Sequence, residues 1–246
     1  MNVTNSIHNR NLNKIPPDTT SKKPWGVYLA DNYMAVNATS GYIPDSGSNN
    51  RSAATTTNVT KIDQAINFKV PVLAGDVTAK IEFPAGSLPP TYTILSVTRY
   101  SSSNRNRIIV SPNINFTHSH YENGNAKFYN DGTQITSVAP TQPNQRSVDS
   151  WCISISTNST AVPIEYAAGI NNTYIGVLKA GSTAANVALG INNSHFGNGG
   201  GENQALFLDK SDFQFYALVI YDQGLTVTEM TNLSTKYINF MQNPAI

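Results

Sequence analysis

The residues of this chain that could act on a glycosidic bond are its acidic side chains. Hydrolases of that bond use two carboxyl groups, which lie about 5–5.5 Å apart in retaining enzymes. Two carboxyl groups on one face of one strand would be two positions apart in the sequence. No glutamate of the chain has an acidic residue at that spacing. The five glutamates are Glu82, Glu122, Glu165, Glu202 and Glu229.

Motifs for nucleophilic catalysis and for phosphate binding are also missing from the sequence. Cys152 follows Trp151 in a strand-like pattern, which is typical of a buried structural thiol. The chain contains no Gly-x-Ser-x-Gly motif. The glycine-rich segment 197–203 lacks the Gly-Lys-Ser/Thr ending of a phosphate loop. The sequence therefore predicts that the chain is not an enzyme.

A His-x-His pair is the main candidate for a transition-metal site. His118 and His120 lie on one face of a predicted strand within 114–121, because alternate residues of a strand share a face. With a third ligand such as His195 they could chelate a metal ion. The alternative, which we favour, is that both imidazoles lie at the wet rim of a face that begins in the core.

Oxygen-bearing side chains in predicted turns could bind calcium. Turns also use Asp and Asn for backbone reasons, so the same residues have a structural explanation. We expect that no cofactor is required and that calcium is the ion to test. The candidate calcium ligands are Asp45, Asn49, Asp209 and Asp212.

A carbohydrate site needs aromatic faces beside polar groups in a shallow, loop-lined surface. Arginine and aromatic side chains can stack on a sugar and donate hydrogen bonds. The alternatives are a solvated hairpin tip at 101–107 that binds nothing, and a protein–protein surface. The candidate carbohydrate-binding residues are Tyr100, Arg105, Arg107, His118, His120 and Tyr121.

Composition limits the possible classes of protein. The chain has 246 residues, of which only 13% are charged, and its net charge is +1. That charge argues against a general nucleic-acid binder. No apolar run approaches the roughly 18 residues of a membrane span, and residues 1–10 lack the apolar core of a signal peptide. The single cysteine excludes an internal disulfide framework. We therefore expect neither nucleic acid nor membrane as a partner.

Short strands between turn signals dominate the chain from Trp25 onward, which predicts an all-β fold. In the segment 212–222, the alternation puts Phe213, Phe215, Ala217, Val219 and Tyr221 on one face and leaves the other face apolar too. A strand of that kind is central and covered on both sides. The predicted strands otherwise lie within 79–83, 91–100, 151–156 and 187–192.

One helix is predicted, from near Val227 to before Pro244. Thr226 and Glu229 have the spacing of a capping box, and Leu225 and Met230 have that of a hydrophobic staple. Its apolar stripe consists of Met230, Leu233, Tyr237 and Met241.

Four segments, in order, resemble laminin-G-like domains of the concanavalin A-like lectin/glucanase class. Segment 44–51 resembles the Asp-x-Ser-Gly-Asn turn after the first strand, and 83–100 resembles the entry to a central strand. Segment 188–193 resembles a later inner strand, and 212–241 resembles the closing strand, Tyr-Asp turn and capped helix. The resemblance implies a two-sheet antiparallel β-sandwich, a jelly roll, over residues 25–246. Residues 1–24, which lack a strand or helix period, are predicted to form an extended N-terminal arm.

Domains similar to this one occur in surface proteins of viruses that infect algae or cyanobacteria. The resemblance implies a non-enzymatic virion surface protein, such as a capsid decoration or fibre component, which could present a glycan-binding face. Its partners would be other virion structural proteins, further copies of itself and host glycans. The alternative is a lectin-like adhesin, outside the cell or on its surface, that recognises host glycans. A hydrolase is the third hypothesis, and the missing acidic pair counts against it.

Overall fold

The computed structural model describes residues 22–47, 49–63, 69–121, 124–130, 133–135, 151–159, 167–168, 173–177, 187–193, 195–196, 206–207 and 210–242. The first 21 residues of the predicted arm lie outside this range. Within it, no helix is long and apolar enough to cross a membrane.

The described residues contain nineteen strands, one α-helix and a short 3₁₀ helix (Ala30–Asn32). In chain order, the strands are β1 (Gly26–Leu29), β2 (Met34–Ala35), β3 (Ser40–Ile43), β4 (Ala54–Thr57), β5 (Thr60–Ile62), β6 (Val72–Gly75), β7 (Lys80–Glu82), β8 (Thr93–Tyr100), β9 (Ile109–Val110), β10 (Phe116–Tyr121), β11 (Gly124–Asn130), β12 (Thr133–Ile135), β13 (Cys152–Thr157), β14 (Ala167–Ala168), β15 (Thr173–Val177), β16 (Gly190–Ile191), β17 (His195–Phe196), β18 (Leu206–Phe207) and β19 (Phe213–Tyr221). The helix is α1 (Val227–Gln242).

The strands form two large sheets, which confirms the predicted β-sandwich. The first sheet has the order β14-β15-β13-β8-β19-β6-β5, and β1 also pairs with β19. The second sheet has the order β12-β11-β10-β9-β16-β7-β4-β3-β2. The pairing of β13 with β15 is parallel, and the other described pairs are antiparallel. Strands β17 and β18 form a separate pair.

Strand β19 is the centre of the first sheet and differs from the predicted alternation. Phe215 lies opposite Thr98, but Ala217 lies opposite Val97, so Tyr216 is an extra residue on this strand. Such a bulge reverses the alternation of faces beyond it. Phe213 and Phe215 therefore share a face with Leu218 rather than with Ala217. The predicted single face from residue 213 to residue 221 is wrong because of this bulge.

The apolar core has two layers, one on each face of the first sheet. Between the sheets, Tyr28 packs edge-on against Phe83 with ring centroids 5.0 Å apart, and Phe83 contacts Phe215. On the outer face, α1 contacts β13 and β15. The four residues of its predicted stripe, Met230, Leu233, Tyr237 and Met241, are all buried.

The predicted capping box fixes where the helix begins. The amide of Thr226 donates to Glu229 Oε2 over 2.7 Å, and the amide of Glu229 donates to Thr226 Oγ1 over 3.2 Å. Just before it, the amide of Leu225 donates to Thr93 Oγ1 over 2.9 Å. This last bond ties the start of the helix to β8.

Candidate functional site

A shallow, open cleft lies at the end of the β6–β19 pair. The ladder between these strands ends with Gly75 opposite Phe213. Since the strands are antiparallel, the next residues, Asp76 and Asp212, lie side by side beyond the end of the ladder. Both line a cleft of about 410 Å³. The complete lining is Asn58, Thr60, Ala74, Gly75, Asp76, Ser101, Ser102 and Asp212.

Hydrogen bonds fix both carboxylates of this Asp76–Asp212 cleft. Asp76 Oδ1 accepts from the amide and from the hydroxyl of Thr78, each over 2.7 Å. These bonds favour the ionised form and lower the pKa of Asp76, which is exposed. Asp212 is nearly buried, and its Oδ2 accepts from Asn104 Nδ2 over 2.9 Å.

The loop after β8 forms one wall of the cleft. The amide of Ser101 donates to the carbonyl of Asp212 over 3.0 Å, and the amide of Asp212 donates to the carbonyl of Asn104 over 2.9 Å. The amide of Asn106 donates to Ser211 Oγ over 2.9 Å. These bonds hold the hydroxyls of Ser101 and Ser102 at the cleft while both residues stay exposed.

Asn192 of the second sheet supports the floor of the cleft. Its Nδ2 donates to the carbonyl of Asp76 over 3.0 Å and to that of Ser211 over 2.8 Å, and its Oδ1 accepts from the amide of Ser211 over 2.9 Å. Asn192 has a left-handed backbone with φ of 53°, which Asn tolerates better than most residues. One buried side chain thus connects both carboxylate-bearing segments.

Gly75 lets the floor close tightly. A Cβ at this position would come within 2.8 Å of the Phe213 ring and would also meet Ala79. Since real Cβ atoms do not approach other atoms so closely, a larger residue would displace Phe213 from the end of β19. The glycine is therefore needed for packing beneath the two carboxylates.

The chemistry of the cleft is that of a hydrogen-bond acceptor site with a negative charge. Its lining combines two carboxylates with the hydroxyls of Thr60, Ser101 and Ser102 and the amide of Asn58. No Lys, Arg or His is among these lining residues. The site can accept hydrogen bonds from several hydroxyl or ammonium groups at once, and it disfavours an anion.

The six residues predicted to bind carbohydrate lie elsewhere, and most of them are interior. Tyr100 and Arg107 are 4% and 8% exposed, and His118 and His120 are fully buried. Arg105 and Tyr121 are partly exposed. A role for these residues in carbohydrate binding stays a prediction, but four of them do not form part of an exposed face.

The burial has a topological cause. The segment 101–107 was predicted to be a hairpin tip, but β8 belongs to the first sheet and β9 to the second. The segment is therefore a crossing between sheets that folds back onto residues 210–212. Arg107 Nη1 donates to Asn115 Oδ1 over 2.8 Å, and its guanidinium lies 4.8 Å from the centre of the Tyr121 ring.

His118 and His120 lie between the two sheets, not at a wet rim as we expected. His118 Nε2 lies 3.2 Å from the carbonyl of Ser154 and must donate to it, so Nδ1 accepts from the Ser156 hydroxyl over 2.9 Å. His120 Nδ1 contacts Ser119 Oγ and lies 3.2 Å from Thr98 Oγ1. Removal from water lowers the pKa of each imidazole to about 3.

The predicted metal sites are not assembled in the described part of the chain. No group of three or more His, Cys, Asp or Glu side chains is placed there to hold a metal ion. His195, the suggested third ligand, is in β17, which pairs only with β18 among the described strands. Its side chain and Asp209 lie outside what the structure describes.

The predicted calcium ligands are distributed over distant parts of the first sheet. Asp45 pairs with Tyr28 in an isolated β-bridge, and Tyr28 is opposite Leu218 of β19. Asp212 precedes Leu218 by six residues. At about 3.3 Å per residue this is roughly 20 Å, too far for one ion. Asp45 accepts from the amides of Val27, Gly47 and Arg51 over 2.7, 2.8 and 2.9 Å. Asp45 therefore stabilises a turn, which is the backbone role that the sequence offered as the alternative to calcium binding.

Asn49, the remaining candidate calcium ligand, also has a structural contact. Its Nδ2 donates to the carbonyl of Trp25 over 3.2 Å. Calcium binding by this chain stays a prediction, which the positions of Asp45 and Asn49 do not favour.

Asp76 is the site residue that sequence reasoning missed. Its local signal is Gly75-Asp76-Val77-Thr78, a turn sequence at the end of an apolar strand. That signal predicts a turn and nothing more. Only the pairing of β6 with β19 shows that Asp76 lies beside Asp212.

No protein-family model matches the sequence, and no curated protein is significantly similar to it. Among solved structures, the chain is similar to domain 4 of AbnA, a GH43 extracellular arabinanase from Geobacillus stearothermophilus, in complex with arabinotriose. The identity is 14% and the TM-score 0.48, over 86% of this chain and 98% of that one.

The chain is also similar to the Trypanosoma rangeli sialidase. For its complex with the inhibitor DANA, the identity is 12% and the TM-score 0.44, over 85% of this chain and 32% of that one. For its complex with 2,3-difluoro-KDN, the identity is 12% and the TM-score 0.46, over 89% of this chain and 32% of the sialidase. The chain thus spans about a third of the length of these sialidases. With TM-scores below 0.5, these likenesses do not establish the activity of the chain.

The prediction that the chain is not an enzyme is contradicted by these neighbours, which are sialidases and a domain of a GH43 arabinanase. The physical flaw in that prediction is its assumption that two carboxyl groups must come from one strand. Asp76 and Asp212 reach one cleft from two strands that are far apart in the sequence. The lack of closely spaced acidic residues therefore has no bearing on what the folded chain can do.

Proposed function

We propose that this chain is a carbohydrate-binding β-sandwich domain and that it binds a glycan in the Asp76–Asp212 cleft. The observation that supports this proposal is the presence of two aspartates in the lining of one cleft, together with three hydroxyl side chains and an asparagine. A carboxylate can accept hydrogen bonds from two neighbouring hydroxyl groups of a sugar ring. Serine, threonine and asparagine add groups that both donate and accept.

Size and charge narrow the class of glycan. A cleft of about 410 Å³ lies at the lower end of the range for small-molecule sites, which suits one or two sugar rings. Because Asp76 is ionised at neutral pH, a neutral sugar or an amino sugar fits the site better than an acidic sugar.

The test is a glycan array with the full chain, followed by titration calorimetry with the best neutral or amino sugar. Asp76→Asn removes one charge and one acceptor from the cleft, and we expect it to weaken binding about tenfold or more, because a hydrogen bond to a charged group contributes about 1.5–3 kcal/mol. Asp222→Asn is the matched control. Asp222 is also exposed but follows the opposite end of β19, so binding should not change.

Two outcomes count against the proposal. If no neutral or amino sugar binds, the cleft is not a glycan site for the classes that we assign to it. If a sugar binds and Asp76→Asn leaves its affinity unchanged, carbohydrate binding occurs elsewhere on the domain.

Hydrolysis is a second candidate activity of the same cleft, because two aspartates line it. Two carboxyl groups are the minimum for acid and base or nucleophile roles at a glycosidic bond. Incubation with oligosaccharides of the bound sugar, followed by detection of new reducing ends, tests this activity. Loss of activity in Asp212→Asn with retained binding would support it, and the absence of new reducing ends would exclude hydrolysis of those glycans.

Attachment to a virion surface is a separate proposal, which comes from the resemblance to viral surface domains. Its structural support is the exit point of the N-terminal segment. Lys22 Nζ donates to the carbonyl of Gly224 over 2.8 Å and to Glu229 Oε2 over 3.0 Å. An anchoring segment would therefore leave the sandwich at the first turn of α1, where it could reach other virion proteins or further copies of the chain.

Deletion of residues 1–21 tests this second role. We expect the shortened chain to keep its glycan binding and to lose incorporation into particles. Incorporation at normal occupancy would show that the N-terminal segment is not the anchor.

A further inference from the structure

The end of the second sheet is joined to the rest of that sheet by a short ladder, as short as the β9–β16 and β16–β7 ladders within the sheet. Strands β10, β11 and β12 are its last three strands, and β10 meets β9 through only two residue pairs. These pairs are Thr117 with Val110 and His118 with Ile109. By contrast, β10 and β11 pair along their whole lengths. We call these last three strands the end hairpin.

The end hairpin is held to the first sheet by a polar contact. His118 and His120 of β10 meet Ser154 and Ser156 of β13 and Thr98 of β8. All of these residues are fully buried. Phe116, on the same face of β10, adds an apolar contact, because its ring packs edge-on against Tyr92 with centroids 6.2 Å apart. The hydrogen bonds between neutral groups are the part of this contact that a change of charge would disturb.

The backbone of β10 is strained where it makes this contact. Ser119 has a φ of 86°, and the register with β11 shifts between Ser119 and His120. A serine in this conformation costs free energy and persists only where surrounding contacts enforce it.

The groups that face the imidazoles offer little compensation for a positive charge. From β8, the Tyr100 ring packs edge-on against His120 at 4.7 Å between centroids. From β13, Cys152 contacts Ser154. From β11, Lys127 is opposite Ser119, and its side chain lies outside the described range. Arg107, on the crossing loop, lies against Tyr121.

A positive charge is harder to accommodate at His120 than at His118. Its Nε2 is buried and has no hydrogen-bond partner among the described residues. In the protonated imidazole both ring nitrogens carry a proton, so the N–H at Nε2 would have no acceptor among the described residues, and the nearby charge of a protonated His118 would oppose protonation.

We propose that His118 and His120 form an acid-sensitive latch, which releases the end hairpin from the first sheet when the imidazoles become protonated. The α1 side of the first sheet stays packed, because its contacts are apolar. The released hairpin would expose β8 and β13, and with them the face of the first sheet that carries Ser96, Thr98, Ser154 and Ser156.

The direction of the pH effect follows from proton binding. Burial holds the pKa of both imidazoles near 3 in the closed state, and their ordinary value in water is 6.5. Between pH 3 and pH 6.5 the open state binds more protons than the closed state does. The stability of the closed state is therefore at its maximum above pH 6.5 and decreases as the pH falls towards 3. For each unit by which the pH falls, protonation of one imidazole raises the equilibrium constant for opening by up to about tenfold. Protonation of both raises it by up to about a hundredfold.

Hydrogen exchange of the full chain between pH 7 and pH 4.5, corrected for the intrinsic exchange rate, measures this opening. We expect the amides of β10 and β11 to lose protection steeply as the pH falls, while those of α1 keep theirs. In His120→Asn, the loss of protection in the end hairpin for each pH unit should be about tenfold smaller than in the parent chain. In the double variant His118→Gln with His120→Asn, the pH dependence of this protection should disappear. His195→Gln, in β17 and outside this contact, is the matched control and should behave like the parent chain.

The comparison of the end hairpin with α1 requires no variant, so it decides the question even if a substitution prevents folding. Parallel loss of protection in both elements would mean global acid unfolding and would overturn the latch. An unchanged pH slope in His120→Asn would overturn it as well. Neither result measures glycan binding at the Asp76–Asp212 cleft, which has its own test above.

Discussion

At the scale of single residues, Asn192 decides whether the cleft keeps its shape. Its side chain makes three hydrogen bonds to the two segments that carry Asp76 and Asp212. Because Asn192 is buried, its loss would leave carbonyl and amide groups without partners. No local sequence signal distinguishes it from the many other asparagines of the chain.

We predict that Asn192→Ala lowers the free energy of unfolding by about 2 kcal/mol or more and also weakens glycan binding. Urea denaturation and calorimetry measure the two effects. Asn50→Ala is the control, since Asn50 has a similar left-handed backbone, with φ of 45°, but is exposed. A loss in Asn50→Ala as large as that in Asn192→Ala would attribute the effect to backbone strain and contradict our account.

The two site residues illustrate the limit of sequence reasoning at this scale. Asp212 was identified for its oxygen ligands and Asp76 was not identified, yet the fold places them together. A local motif reports turns and caps, because these depend on neighbours in the sequence. A pair made by two strands depends on the register of the sheet, which local patterns do not contain.

At the scale of elements, the C-terminal segment was the most predictable part of the chain. The limits of α1, its apolar stripe and its capping box all agree with the sequence pattern. The exception is the bulge at Tyr216 in β19, which reverses the faces of that strand. Helix signals are local, whereas a bulge is set by the neighbouring strand.

We predict that Thr226→Ala lowers the free energy of unfolding by about 1 kcal/mol, because it removes the side chain that accepts from the Glu229 amide. Thr228→Ala is the matched control, since Thr228 is exposed in the same turn and is not a capping residue. Alanine favours helix slightly over threonine, so the control should be neutral or slightly stabilising. Equal losses in the two variants would contradict the capping role.

At the scale of the whole molecule, alternating apolar residues predict an all-β fold, and the resemblance to laminin-G-like domains implies the two packed sheets that the structure has. Neither was sufficient to predict that part of the interior is polar. His118, His120, Thr98 and Ser154 look like surface positions by residue type, but the two histidines of β10 face Ser154 and Thr98 of the first sheet across the sandwich. The same misreading placed Tyr100 and Arg107 on an exposed face. Residue type alone cannot tell a buried, hydrogen-bonded polar group from a solvated one.

The measurement that tests the central claim most directly is the NMR shift map of the chain during titration with its best neutral or amino sugar. We predict that the largest changes occur at the amides of Asp76, Ser101, Ser102 and Asp212, around the cleft. Changes concentrated at a different surface, such as that of Trp25 and Arg51, would contradict the claim that this domain binds carbohydrate in the Asp76–Asp212 cleft.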